Sequence, residues 1–356
     1  MTPAELEPLS DLLQRHGVDP ATEEPFPNDG WSGATMTRLR SRGGERGFIL
    51  KRDSLERDWI ARATADGPIL REAWFAAQGP ALPLPVRAPY LGAGIDGEDV
   101  AILMPDLTGI LFDWNATLTL AQLDRVLVAM AALHSHPWAE ALDRGADHWT
   151  PWRERLTLIC RPSLERSGPA GDAVAERLIP GWDAWDRLAS SRARELIAGL
   201  ATDPEPLLDA LSTEPRTLLH GDLKLANVGI APDGAVEIVD WQMVMAAPVA
   251  VELGWFLVSN VNALPLAVDD VLERYFSALD LAGTAGPGDP DSRMTVVASR
   301  QRQVDLAILI SLLLRGWRKG ADADAGVTLA SGVRSDDDLA WWCDRAVEAA
   351  DRKSVV

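Results

Sequence analysis

His220-Gly221-Asp222-Leu223-Lys224-Leu225-Ala226-Asn227, followed thirteen residues later by Asp240 in Val239-Asp240-Trp241-Gln242, is the most informative segment of the chain. Between the two lies a β-like insert: Val228-Gly229-Ile230, a turn at Ala231-Pro232-Asp233-Gly234, then Val236-Glu237-Ile238-Val239-Asp240. An Asp and an Asn five residues apart on one loop, with a second Asp delivered by the hairpin, set one carboxylate beside a nucleophilic hydroxyl. They leave an amide and a carboxylate to face a magnesium ion. Phosphoryl transfer needs that division of labour: the ion neutralises phosphate oxygens while a separate carboxylate orients the attacking hydroxyl and accepts its proton.

At these residues the chain resembles the aminoglycoside phosphotransferase and choline kinase family, kinases of small molecules built on the protein-kinase fold. The resemblance covers roughly residues 25–350. It implies an α+β, bilobal protein-kinase-like fold with a small antiparallel-sheet N-lobe, residues 1–105, and a mostly helical C-lobe, residues 106–356, with ATP and Mg²⁺ as cofactors. Carried over residue by residue, it makes Asp222 the catalytic base, His220 a brace of its loop, and Asn227 and Asp240 the Mg²⁺ ligands. Lys224, two residues after Asp222, falls where it neutralises the transferring phosphate.

Working upstream, the other half of a kinase site follows in the right order. Gly47-Phe48-Ile49-Leu50-Lys51 and Ala34-Thr35-Met36-Thr37-Arg38-Leu39 read as a hairpin turning at Arg42-Gly43-Gly44. A helix is expected after it, opened by Asp66-Gly67-Pro68 and closed by Gln78-Gly79-Pro80. In kinases a strand lysine holds the α and β phosphates and a helix glutamate orients it, which assigns Lys51 and Glu72. The phosphate-covering loop falls on Asp29-Gly30-Trp31-Ser32-Gly33, with Gly30, Ser32 and Gly33 offering N–H and hydroxyl groups, although it departs from G-x-G-x-x-G. Val100-Ala101-Ile102-Leu103-Met104 is apolar enough for a central strand, and Met104 sits at the hinge where adenine would bind.

Downstream, helical spacing is expected over 120–136, 153–158, 173–188 and 196–211, and again from 250 onward. Arginine follows the catalytic His in protein kinases, whereas Gly221 stands here, and no D-F-G or A-P-E segment occurs. A small hydroxylated acceptor is therefore expected in place of a peptide. Glu252 reads as a structural carboxylate bracing the catalytic loop, and His134 as a helix terminus. The other readings are a nucleotide-binding pseudokinase, a protein kinase and a nucleotidyl transferase.

Composition sets the outer bounds. The 356 residues are 47% hydrophobic and 24% charged, enough for a sizeable core. Thirty-four Lys and Arg against 53 Asp and Glu leave a formal charge of −19, which repels phosphate backbones and suits a cationic acceptor. Only Lys51, Lys224, Lys319 and Lys353 are lysines, so each invites a reason why arginine does not stand there. Two distant cysteines, Cys160 and Cys343, indicate neither disulfide nor zinc site. The acidic N-terminus and the interrupted apolar run Leu306–Leu314 point to a cytoplasmic protein without a membrane partner.

Overall fold

The computed structural model describes residues 6–27, 30–114, 116–166, 169–285 and 300–352. Asp29, Lys353 and residues 1–5, on which readings above rest, lie outside the described residues. Up to Pro105 the chain builds a six-stranded sheet from β1 (Glu7–Pro8), β2 (Val18–Pro25), β3 (Thr35–Ser41), β4 (Gly47–Asp53), β6 (Gly92–Asp96) and β7 (Asp99–Pro105). The strand order is β1-β6-β7-β4-β3-β2, antiparallel except for the β1–β6 pair.

Period-two alternation explains why this sheet presents a charged residue inward. Phe48 and Leu50 on β4, with Ala101 and Leu103 on β7, pack on one face against the helix Leu9–Arg15. Ile49 and Lys51, with Ile102 and Met104, turn to the other face, where Ile49, Ile102 and Met104 join the main core with the helix Arg71–Gln78. Lys51 thereby looks toward Glu72.

One strand and one helix in this region depart from expectation. Val18–Pro25, without apolar alternation, is β2, an edge paired to β3 across a register irregularity. Two helices, not one, follow the hairpin: Trp59–Ala63, capped by the Asp58 carboxylate, and Arg71–Gln78. Asp66 is not the N-cap of the second, which is Leu70; its carboxylate accepts from the Arg71 N–H at 2.9 Å from five residues back, and Pro68 stays outside the helix.

The hairpin forms as expected from β9 (Val228–Ile230) and β10 (Val236–Ile238). It is not isolated, because β5 (Val86–Arg87) pairs parallel with β10 and completes a three-stranded sheet. β8 (Thr217–Leu219) pairs with β11 (Met245–Ala247) immediately before and after the site. The rest is helical. Leu120–Ser135 starts in a Thr119–Gln122 capping box and packs on Val268–Ala285. Arg300–Ala325, which contains the apolar run Leu306–Leu314, packs against Pro169–Leu188, Val249–Asn260 and Ser335–Asp351. The single helix expected over 196–211 is two, Ser191–Thr202 and Glu205–Ser212, broken at Asp203-Pro204. No described helix is long and apolar enough to cross a membrane.

Candidate active site

The loop after β8 owes its shape to Gly221. Its φ is +79°, and a Cβ there would lie 2.0 Å from the Met243 carbonyl oxygen, so only glycine fits. Both its N–H and its carbonyl are held. Its N–H donates to Glu252 Oε1 at 2.6 Å, and its carbonyl accepts from Arg155 Nε and Nη2 at 2.8 and 2.7 Å. Glu252 is completely buried and continues through His134 Nε2 (2.9 Å) to Tyr275, whose hydroxyl meets His134 Nδ1 at 2.8 Å. Burial works against the Glu252 carboxylate, and His134 outweighs it, holding the group below its ordinary range.

His220 Nδ1 accepts from the Asp222 N–H at 3.2 Å, which leaves Nε2 to donate to the Val239 carbonyl at 2.9 Å. The Val239 N–H in turn donates to the Asn227 carbonyl at 3.0 Å. The backbone of Val239 is thus held through both its N–H and its carbonyl, and Asp240 is the next residue. Asn227 Nδ2 donates to the Asp222 carbonyl at 3.0 Å and to its Oδ2 at 3.3 Å, which turns the Asn227 Oδ1 away from Asp222. Lys224 Nζ donates to the same Oδ2 at 2.8 Å and lies 5.3 Å from the centre of the exposed Trp114 ring. Asn260 fastens the loop from below, accepting from the Leu225 N–H at 2.8 Å and donating to the Leu223 carbonyl at 3.3 Å.

Lys51 reaches across from β4. Its buried ammonium donates to Glu72 Oε2 at 2.5 Å and to Asp240 Oδ1 at 2.8 Å, the latter pair 189 residues apart in sequence. Burial opposes the charge on Lys51, and Asp240 and Glu72 outweigh it, raising the ammonium above its usual range. Burial would likewise raise the Asp240 carboxyl, but Lys51 and Lys224 hold it at about 2. At Glu72 burial wins, and the carboxyl lies above its ordinary value against the pull of Lys51.

Asp240 adopts the left-handed conformation, φ 67° and ψ 53°, uncommon for a non-glycine residue. Tyr90 holds it there. The Tyr90 hydroxyl donates to Glu72 Oε1 at 2.6 Å and accepts from the N–H groups of Asp240 and Trp241 at 3.0 and 3.2 Å. Trp241 then stacks on Phe75, with centroids 4.2 Å apart, and meets His220 edge-on. Tyr90, Phe75, Arg155, Asn260 and His134 had no sequence signal as site residues, because their partners lie far along the chain.

The structure brings Lys51, Glu72, His220, Asp222, Lys224, Asn227 and Asp240 into one connected cluster. The glycine-bearing loop is different. Gly33, at φ +103°, lies so close to the Arg57 carbonyl that a Cβ would come within 2.9 Å. Ser32 is buried, and its Oγ accepts from the Ala34 N–H at 3.4 Å. Trp59 Nε1 donates to the Trp31 carbonyl at 2.6 Å. This loop thus contacts the Arg57–Trp59 segment and, through the Trp31 ring 5.8 Å from the Arg177 guanidinium, the helix Pro169–Leu188, with the exposed Gly30 at its start. Met104 is buried in β7, opposite Ile49 on β4. Asp106, just past β7, accepts from Arg38 Nε at 2.9 Å and from the Thr108 N–H and hydroxyl at 3.0 and 2.6 Å, bracing the connection into the helical part. No group of three or more His, Cys, Asp or Glu side chains suited to a metal occurs among the described residues.

Residues 25–287 match the family described as "Phosphotransferase enzyme family". No curated protein matches the chain. Among solved structures, the macrolide 2'-phosphotransferase MphH from Brachybacterium faecium is similar at 17% identity, over 89% of this chain and 95% of that one, with a TM-score of 0.42. Spectinomycin phosphotransferase APH(9)-Ia, solved with ADP and spectinomycin, is similar at 14% identity over 98% of both chains, TM-score 0.44. The choline kinase LicA from Streptococcus pneumoniae is similar at 10% identity, over 96% and 97% of the two chains, TM-score 0.44.

Proposed function

This chain belongs to the phosphotransferase enzyme family and is a small-molecule kinase, and from that premise we propose that it moves the γ-phosphoryl group of ATP, with Mg²⁺, to a hydroxyl of a small molecule. One observation carries the reading: the cluster Asp222–Asn227–Lys224 meets the cluster Lys51–Glu72–Asp240 across a single residue, Val239, whose N–H and carbonyl are both held. Asp222 is the base. The acceptor oxygen bonds to the γ-phosphorus as the bond to the ADP oxygen breaks; ADP leaves with that electron pair, and Asp222 takes the hydroxyl proton.

Lys51, fixed by Glu72, pairs with the α and β phosphates. Asn227 and Asp240 fit a magnesium ion, since an amide oxygen and an ionised carboxylate are hard donors and Mg²⁺ takes its remaining ligands from phosphates and water. Bound there, the ion would offset negative charge on the phosphate oxygens. Lys224 supplies a second cation beside Asp222. His220 positions the loop through its two hydrogen bonds and does not contact the reacting atoms. Met104 contributes backbone at the adenine slot, and the loop carrying Gly30, Ser32 and Gly33 covers the phosphates once nucleotide is bound.

Two features favour a small acceptor such as an aminoglycoside-like molecule, amino alcohol, sugar or nucleoside over a peptide. Gly221 stands after the loop histidine, and Asp240-Trp241-Gln242 runs within a few residues into β11 and the helix Val249–Asn260. ADP release from Mg-ATP is the test, measured across a panel of these four classes for the wild type and Asp222→Asn. Acceptor-dependent release should fall by about 10²–10⁴-fold in the variant while ATP binding survives. An Asp222→Asn enzyme with wild-type turnover would sink the mechanism.

A further inference from the structure

Beside Asp222 lies a seam between two helices whose polar groups are not accounted for by the fold. Trp255 and Ser259 on Val249–Asn260, and Asn262 just beyond it, stand four and three residues apart and share a face. Opposite them, Arg315, Arg318 and Asp322 occupy one face of Arg300–Ala325, which departs from helical geometry at Arg315. Trp255 Nε1, Ser259 Oγ, Asn262 Oδ1, Arg315 Nε and Trp317 Nε1 are all buried without a hydrogen-bond partner. Such groups each cost about 1–3 kcal/mol, so the four on Trp255, Ser259, Asn262 and Arg315, on facing elements that could have carried apolar side chains, call for a ligand, whereas the Trp317 ring packs on Gly181 of Pro169–Leu188.

The charges of the seam say which kind. The Arg315 guanidinium lies 5.0 Å from the Trp255 ring centre and 5.2 Å from that of Trp317, and makes no ion pair or hydrogen bond among the described residues. Arg155 stacks on the same Trp255 ring at 4.3 Å, with its hydrogen bonds given to the neutral Gly221 carbonyl. The one carboxylate within the seam, Asp322, is taken by Arg318 at 2.9 Å and by Asn262 at 3.2 Å. Burial lowers both Arg155 and Arg315 to about 10, with Asp222 the first of the carboxylates acting against it at Arg155 and, after the repulsion of Arg318, at Arg315. A cationic acceptor entering here would meet two unpaired guanidinium groups. An anionic one would complete the site, because an arginine without a carboxylate partner presents a planar donor edge to two oxygens of an oxyanion.

We propose that the acceptor is a hydroxylated molecule bearing an oxyanion, a carboxylate or a phosphate, which Arg315 grips from the face of Trp255 while Asp222 engages its hydroxyl. This rests on the phosphotransferase reading above and reverses the acceptor charge that the net −19 suggested. The acid excess lies on the surface as a whole, whereas the seam is locally positive; field inside a cleft follows the nearest unscreened groups.

The test is calorimetric binding in saturating Mg-ADP of four probes that share one carbon skeleton: gluconate, glucose 6-phosphate, glucose and glucosamine. At least one of the two anions should bind tenfold or more tighter than glucose and glucosamine. Arg315→Gln should abolish that preference and Arg315→Lys should keep part of it, with thermal melts checking that both variants fold. Which anion wins distinguishes carboxylate from phosphate. Equal or undetectable binding of the four, tightest binding of glucosamine, or a preference that survives Arg315→Gln overturns the proposal. Because the titration reads binding alone, it stands or falls apart from the Asp222→Asn turnover assay.

Discussion

Tyr90 uses its one hydroxyl three times, as donor to Glu72 and as acceptor from the N–H groups of Asp240 and Trp241, which is the full capacity of a phenol. Removing the oxygen leaves two buried N–H groups and one Glu72 oxygen unmatched and frees Asp240 from the conformation that aims its carboxylate at Lys51. Tyr90→Phe should cost about 2–4 kcal/mol of stability. It should also lower kcat by about tenfold or more and raise the Mg²⁺ concentration needed for half-maximal rate, with the affinity for ADP little changed. Metal-dependent kinetics set beside urea melts would check this; a variant that loses stability but keeps its Mg²⁺ dependence would make Tyr90 a structural residue only. Nothing local in Pro89-Tyr90-Leu91 announces this role, because the partners stand 18 and 150 residues away. That Asp222, Asn227 and Asp240 come together was legible for the opposite reason: the three are compressed into one loop and one hairpin.

The hairpin β9–β10 and the loop before it work as one element, and Gly221 is where that element meets its neighbour. Any side chain at this position must displace the Met243 carbonyl and adopt a positive φ, so Gly221→Ala should destabilise the protein by about 3 kcal/mol or more and remove turnover. Urea unfolding of the variant measures the first quantity and ADP release the second. Stability within about 0.5 kcal/mol of wild type would mean that the loop relaxes more freely than its two-sided grip by Glu252 and Arg155 implies. Legibility at this scale followed the strength of local pattern. The β4 and β7 strands and the hairpin were readable from dense apolar runs, whereas β2, Val-Asp-Pro-Ala-Thr-Glu-Glu-Pro, forms only because β3 offers it an edge. The helix break at Asp203-Pro204 was written in the proline but was overridden by the apolar spacing on either side. β5, two residues long, could be found only once its partner β10 was in place.

At the scale of the whole molecule, the sheet-bearing and helical parts are joined by the groups proposed to carry out the chemistry. Lys51 of β4 meets Asp240, Phe75 stacks on Trp241, Arg71 Nη1 donates to the Gln242 carbonyl at 3.3 Å, and β5 adds its strand to the hairpin. Stability and nucleotide binding should therefore fail together when Lys51 is replaced. Lys51→Met leaves Glu72 and Asp240 facing each other without their cation, and breaking such a buried pair costs about 3–5 kcal/mol. Mg-ADP at about 100 times its Kd should stabilise the wild type by about 2.7 kcal/mol and the variant by close to nothing. Adding Glu72→Gln to Lys51→Met removes one of the stranded carboxylates, so the double variant should regain part of the lost stability without regaining the response to Mg-ADP. Thermal melts of the three proteins with and without Mg-ADP separate the two effects. Recovery of both in the double variant would mean that Lys51 serves the fold alone, whereas recovery of stability alone would show that the cation joining the two parts is also the one that holds the nucleotide.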